Sequence, residues 1–270
     1  MEIALCLYKY FPYGGLQRDF LRIAEVLVKR GHHVRVYTRK WDADVKPEWL
    51  DIVFVPTSAF SNHSKNAQYF NWVQNHLKSH PVDKVVGFNK MPNLDVYYGA
   101  DVCFLEKTQN KNFFYKLSGR YKHYAEFEKL TVGRGLKTKL MIITPNQKRD
   151  FQKHYQTEDD RFYLLPPGIS PDRKYSNFPI DAREKFRKEH HLSDNDFVLL
   201  AIGSDFKRKG FDRSIEALAS LPKELRSHTY LFVIGQDKEG PFEKQAQRLG
   251  VSKQAVSYTH LRAHETLRHL

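Results

Sequence analysis

Three short segments carry residue types that could do chemistry, and each sits where a turn joins two longer patterns. Tyr8 to Leu16 (YKYFPYGGL) places Gly14 and Gly15 directly ahead of a helical stretch. Paired glycines there let backbone amides approach a phosphate at the positive end of a helix, or they simply make a tight turn. The pair alone leaves both readings open, and the absence of GxxxxGK[ST] argues against P-loop nucleotide hydrolysis. Gly203 to Gly210 (GSDFKRKG) repeats the layout, with Arg208 and Lys209 beside a helix start and glycines bracketing the turn. Two cations at the carboxyl end of a strand suit a diphosphate; a solvated basic turn would read the same way. Pro167 to Tyr175 (PGISPDRKY) puts Arg173 at a proline-rich junction, the kind of place where ligand pockets concentrate.

These segments need strands and helices to hold them. Glu2 to Leu7 (EIALCL) reads as a buried strand, and the spacing of Leu16, Phe20, Ile23, Leu27 and Val28 predicts one apolar helix face ending at Gly31. His33 to Thr38 is β-branched again, which completes a βαβ layout. Further strands are expected at Asp51 to Val55, Lys84 to Phe88, Leu94 to Tyr98, Lys139 to Thr144 and Phe162 to Leu165. Between them lie an aromatic-rich helix around Tyr69 to Leu77 and a helix that opens at Thr144 and Pro145 as N-cap and first residue. The class is α/β with a mainly parallel sheet.

Prolines and a glycine then interrupt the alternation, so the expected organisation is a first domain at 1–165, a linker at 166–172 and a second domain from 173 to 254. The second alternation runs through strands at Phe197 to Gly203 and Thr229 to Gly235, with helices around Ala182 to His190, Asp212 to Ser220 and Phe242 to Leu249. That amounts to half a Rossmann-like domain, with an uncovered apolar edge and face.

The formal charge of +13 on 270 residues predicts attraction to anions: nucleic acid, an anionic lipid surface or phosphorylated substrates. No finger, RNP or KH-like signature is present, so nucleic acid is not an expected partner. No run of about 18 apolar residues could span a bilayer, and MEIALCLYKY lacks a signal-peptide layout, so a cytoplasmic location is expected. Cys6 and Cys103 stand alone, without the spacing of a disulfide framework or zinc site. Cys103 to Val132 interleaves aromatics with cations, among them Lys111, Phe113, Phe114, Lys116, Arg120, Tyr121 and Lys122. Such a helix suits an anionic membrane surface, or it packs its aromatic face on its own sheet.

Taken together, the segments resemble the retaining glycosyltransferases of family 4, which have the GT-B fold of two Rossmann-like domains. GSDFKRKGFD followed by SIEA is similar to their donor-binding signature. LYKYFPYGGLQRDF, VVGFNKMPNLDVYYGADVCF, LPPGISPDRKYS and LFVIGQDK resemble the lipopolysaccharide core glucosyltransferases within that family, from Met1 to about Val251. The resemblance implies transfer of glucose from UDP-glucose to a phosphorylated inner-core heptose of lipopolysaccharide, with retained configuration and no metal or other cofactor. It places Gly14 and Gly15 at the donor phosphates, Arg208 and Lys209 at the departing diphosphate, and Arg173 at the nucleotide-sugar. Asp19 and Asp101 become candidates for binding the acceptor or guiding its hydroxyl; an Asp in a first helical turn also simply favours the macrodipole. The basic aromatic segment would dock the enzyme peripherally on the inner face of the inner membrane. A different class of function, a peripheral membrane-binding module without turnover, would need no UDP contact at Arg173, Arg208 or Lys209.

The resemblance stops near Ser252. Residues 255–270 (AVSYTHLRAHETLRHL) are expected to continue nothing in the fold, as a disordered or frayed tail, and the spacing of His260, His264 and His269 does not suggest a metal site. The family's paired glutamates, seven residues apart, have no counterpart here. The expectation is therefore a second domain cut short and a chain that is inactive on its own.

Overall fold

From Ile3 to Cys6 the first strand, β1 (Glu2–Cys6), is apolar without a break, as a strand covered on both faces must be. Ile3 and Leu5 join Phe20, Ala24 and Val36 in one buried layer, while Ala4 and Cys6 join Tyr69, Val73 and Leu140 in the other. This is the alternation of a pleated strand. The computed structural model describes residues 1–12, 14–43, 46–166, 168, 179–203, 205–235 and 237–258, in two units, Met1–Gly168 and Ile169–Leu270. Arg173 and His260, His264 and His269 lie outside the described residues.

In the first unit β1 is followed by β2 (Lys9–Tyr10), α1 (Gly15–Lys29), β3 (His33–Thr38), β4 (Lys40–Trp41), β5 (Asp51–Phe54) and α2 (Asn62–Ser79). Next come β6 (Lys84–Gly87), β7 (Val96–Gly99), α3 (Phe104–Thr108), α4 (Phe113–Leu117) and α5 (Gly119–Val132). The unit closes with β8 (Lys139–Ile142), α6 (Pro145–Tyr155), a 3-10 turn at Asp159–Arg161 and β9 (Phe162–Leu164). Seven strands form one parallel sheet in the order β5-β3-β1-β6-β7-β8-β9. The chain builds outward from β1 to β5 on one side and from β6 to β9 on the other, so the order in which strands are added reverses between β1 and β6 while all stay parallel.

In the second unit α7 (Ala182–Glu189) precedes β10 (Phe197–Ile202), α8 (Phe206–Lys209), α9 (Phe211–Ser220), α10 (Lys223–Ser227), β11 (Thr229–Ile234), α11 (Gly240–Arg248) and β12 (Ala255–Tyr258). Its parallel sheet runs β10-β11-β12 over a core that includes Phe206, Ile215, Leu231, Val233 and Val251. The α/β class and the GT-B-like pattern of parallel sheets are as the sequence predicts. Apolar residues of β10, including Phe197, Leu199 and Leu200, remain exposed.

Two expectations need correction. Residues 255–258, read as the start of a structureless tail, form β12 and pair with β11 from Leu231↔Ala255 to Ile234↔Tyr258. The local pattern AVSY is too short to announce a strand, and the neighbouring strand supplies the hydrogen bonds that make it one. The basic aromatic segment is also three helices rather than one. Asn112 accepts a hydrogen bond from the Tyr115 amide, and Ser118 accepts one from the Tyr121 amide, so each starts a new helix.

Candidate functional site

Leaving β1 and β6 side by side, the chain forms the crevice where parallel sheets hold ligands. The Tyr8 amide donates to Asn89 Oδ1 (2.8 Å) and its hydroxyl to the Lys90 carbonyl (3.3 Å), which ties the two strand ends together. Around them opens a cavity of about 330 Å³. Asp101, just past β7, lines it and has no ion-pair partner among the described residues. The backbone under Asp101 is fixed from α6. Buried Gln147 donates its amide to the carbonyls of Gly99 and Asp101, and its Oε1 accepts from Ile143 N and Thr144 N at the helix start.

Sequence reasoning missed the group that organises this crevice. Glu128 on α5 is fully buried and accepts from the Phe104 amide (2.7 Å), the Leu105 amide (3.2 Å), the Tyr155 hydroxyl (2.6 Å) and Lys90. A buried carboxylate is tolerable only with such partners, and here it caps α3 and neutralises the cavity-lining Lys90 together. The sequence offered no signal for it, because Glu128 stands in AEFEKL beside Glu126 and Lys129 and reads like a solvated acid. Asn66 and His123 also line the cavity, and Asn66 Oδ1 and His123 Nε2 are buried without a hydrogen-bond partner among the described residues. Burial, then the neighbouring His63, lowers the pKa of His123 and favours its neutral form.

At the start of α1 the two glycines play different parts. Gly14 is the N-cap, with ordinary extended angles (φ −82°, ψ 139°), no side-chain cap and no acid in the first turn. A Cβ on Gly14 would lie 1.8 Å from Gln17 Oε1 and 2.7 Å from the Phe11 ring, whereas one on Gly15 would meet nothing within 4 Å. Gly14 therefore serves close packing. Gly15 leaves open space before the uncapped amides. Asp19 lies further along α1, where its Oδ2 accepts from the Tyr98 hydroxyl (2.9 Å). Burial and then this carboxylate raise the Tyr98 pKa. Asp19 does not line the cavity that holds Asp101.

In the second unit, α8 begins at Asp205, whose φ is +60°, and ends at Gly210 (φ +79°), which starts α9. The three cations differ. Lys207 pairs with Asp212, and Arg208 Nε lies 2.8 Å from Asp205 Oδ2. Lys209 has no ion-pair partner among the described residues. Its chain passes Gly203, where an added Cβ would stand 3.3 Å from Lys209 Cε.

Of the residues assigned to a lipid surface, Phe113 and Phe114 are 69% and 81% exposed, with Leu117 and Val102 exposed as well. Lys111 and Lys122 are exposed, and Lys116 donates to the Gln109 carbonyl. Tyr121 is half-buried, its ring 5.5 Å from Phe104 and 5.8 Å from Tyr115. Arg120 lies 6.0 Å from the Tyr124 ring and lines the cavity instead. On α5 the apolar residues do not gather on one face, so the exposed aromatic surface is a property of α4. No helix among the described residues is long and apolar enough to cross a membrane, and these residues contain no group of three or more potential metal ligands.

Known proteins share this architecture. The family described as Glycosyltransferase Family 4 matches residues 13–173, and that described as Glycosyl transferases group 1 matches residues 182–270. The lipopolysaccharide glucosyltransferase WaaG of Escherichia coli K12 is 58% identical over 252 residues, which are 93% of this chain and 67% of that protein. A crystal structure of WaaG superposes with a TM-score of 0.89 at 56% identity, covering 95% of this chain and 70% of the other. The apo lipopolysaccharide outer core galactosyltransferase WaaB, at 12% identity and a TM-score of 0.58 over 96% of this chain and 68% of its own, shares the fold. On the extent of these matches and the parallel sheets that carry them, the chain belongs to glycosyltransferase family 4.

Proposed function

We propose that the chain acts in lipopolysaccharide core synthesis, transferring glucose from UDP-glucose to an inner-core heptose with retention of configuration. The observation that carries this reading is the 58% identity to a lipopolysaccharide glucosyltransferase across 93% of the chain. In the proposed reaction an acceptor hydroxyl bonds to the anomeric carbon as the bond from that carbon to the diphosphate breaks, and the hydroxyl's proton passes to the departing phosphate oxygen. Negative charge grows on the leaving UDP, and its stabilisation is the largest task the protein faces. Lys209, free of an acidic partner among the described residues, and Arg208, held only by Asp205, supply fixed positive charge. The uncapped amides at Gly15 supply oriented dipoles. In this reading these groups do the work a divalent ion would otherwise do. Asp101 is assigned to the acceptor hydroxyl because it lines the cavity with its backbone held by Gln147. Asp19 is assigned, through Tyr98, to holding α1 against the end of β7.

Peripheral attachment to an anionic membrane surface is part of the proposal, supported by the exposed Phe113 and Phe114 beside Lys111. The whole is tested by glucose transfer from UDP-glucose to heptose-terminated core lipopolysaccharide. The assay uses this chain and a chimera that continues it with the remaining third of its 58%-identical relative. Transfer by the chimera, with an α-linked product and no loss on metal chelation, supports the reading. No transfer by either protein overturns it.

A further inference from the structure

Helix α2 presents two faces of different chemistry. Tyr69 and Val73 are buried in the core layer that holds Ala4 and Cys6. Gln68, Asn71, Trp72 and Asn75, spaced i, i+3, i+4 and i+7, share another face. With the chain leaving β5 around Ser58, that face lines a cavity of about 500 Å³, an ordinary size for a small-molecule pocket. The cavity lies at the edge of the sheet, because β5 is its outermost strand, and it shares no lining residue with the cavity that holds Asp101. Solvated helix faces are rich in charge. Here, in a chain of which 28% is Asp, Glu, Lys or Arg, none of the lining residues is charged, and an indole stands among carboxamides.

The walls are fixed without a ligand. Gln68 Oε1 accepts from the amides of Ser58 and Ala59 (3.0 Å each), which pins the loop to the helix. The Trp72 indole stacks on the His76 imidazole, with 4.8 Å between centroids and 16° between planes, and His76 Nδ1 lies 2.9 Å from the Tyr37 hydroxyl. Burial, then His80, lowers the pKa of His76, so this stack carries no charge at neutral pH. Polar groups remain free to meet a ligand. Asn71 is exposed and makes no side-chain hydrogen bond among the described residues. Asn75 receives Lys78 at Oδ1 (3.2 Å) and keeps its Nδ2 donors. A carboxamide both donates and accepts, as a sugar hydroxyl does, and an aromatic surface suits the C–H face of a pyranose.

We propose that this cavity binds a neutral sugar ring at a site separate from the crevice at β1 and β6. The C–H face of the ring lies against the Trp72 indole, and its hydroxyls meet Asn71, Asn75 Nδ2 and the Ser58 hydroxyl. An acidic sugar gains nothing there, because no cation lines the cavity. The inference does not depend on the glycosyltransferase reading.

The test is a magnetic-resonance titration of the isotope-labelled 270-residue chain with methyl glucoside, methyl galactoside and glucuronate, following the indole N–H signals. A Trp72→Phe variant assigns the Trp72 signal among the three tryptophans. At least one of the two methyl glycosides should shift that signal saturably, with a dissociation constant in the millimolar range, and glucuronate should bind no more tightly. Asn71→Ala, at an exposed position, should weaken binding about fivefold, the worth of one neutral hydrogen bond, with an unchanged thermal melt. Trp72→Ala should abolish binding, and Asn71→Ala keeps the proposal testable if that variant fails to fold. Saturating UDP should leave the sugar affinity unchanged. A Trp72 signal that no sugar moves overturns the proposal, as do tighter binding of glucuronate, displacement by UDP, or full affinity in Asn71→Ala. UDP binding is read separately in the same samples, so failure at this cavity leaves the glycosyltransferase reading untouched.

Discussion

Gly14 and Gly15 stand next to each other and do opposite things. Gly14→Ala drives a Cβ into Gln17 and the Phe11 ring, so a urea melt should show a loss of about 1–3 kcal/mol, the usual cost of overpacking. Gly15→Ala has open space and a helical position, and should leave stability within about 1 kcal/mol while weakening UDP binding if the amides there meet phosphate. Equal melting behaviour of the two variants would contradict this division. The sequence showed the pair and its place before a helix. It could not show which glycine is packed, because the neighbour that decides, Gln17, is a polar residue one turn inside the helix. The same limit applied to the basic turn, where Lys207, Arg208 and Lys209 read as equivalent until Asp212 and Asp205 claimed two of them.

At the scale of elements, the short helices around the cavity depend on groups they do not contain. Glu128→Ala would leave Lys90 unneutralised and the α3 amides uncapped, and should cost roughly 3–5 kcal/mol in denaturant unfolding, as broken buried pairs do. A loss below about 1 kcal/mol would mean that the network is solvated. The turn before β9 gives a pH signature. Glu158 accepts from the Gly135 amide and from Arg161, whose guanidinium also donates to the carbonyls of Thr138 and Gly133. That amide, then Arg161, hold its carboxyl down at about 2, from an ordinary 4.5. Because the folded pKa is the lower one, this stabilisation is present above 4.5 and is lost as pH falls from there towards about 2. Glu158→Gln should flatten the fall in melting temperature over that interval, and an unchanged slope would show that the contact is not maintained. The strands and α1 of this unit were legible because their apolar patterns are strong, and α2 because of its aromatic run. The breaks at Asn112 and Ser118 were hidden, since each residue acts through a side-chain cap that composition does not distinguish from a polar surface position.

Over the whole molecule, one charge surplus serves several contacts. The net +13 is spread across both units, and the exposed Phe113 and Phe114 stand among cations on the first. Binding to vesicles containing anionic lipid should therefore fall with added salt and fall further in a Phe113→Ser, Phe114→Ser variant. Indifference to both would remove the membrane from the account. The α/β architecture was legible throughout, from alternation and from the resemblance in its turns. The short β12 was not, because a strand at the end of a sheet owes its form to β11 rather than to its own four residues. The most direct test of the central claim, that the protein is built for a nucleoside-diphosphate sugar donor, is a calorimetric comparison of UDP with UMP on this chain and on its Lys209→Gln variant. UDP should bind more tightly than UMP, and the variant should lose roughly 1.5–3 kcal/mol of that advantage, the worth of a hydrogen bond to a charged group. Equal affinity for the two nucleotides, or an advantage that survives the loss of Lys209, would contradict the account.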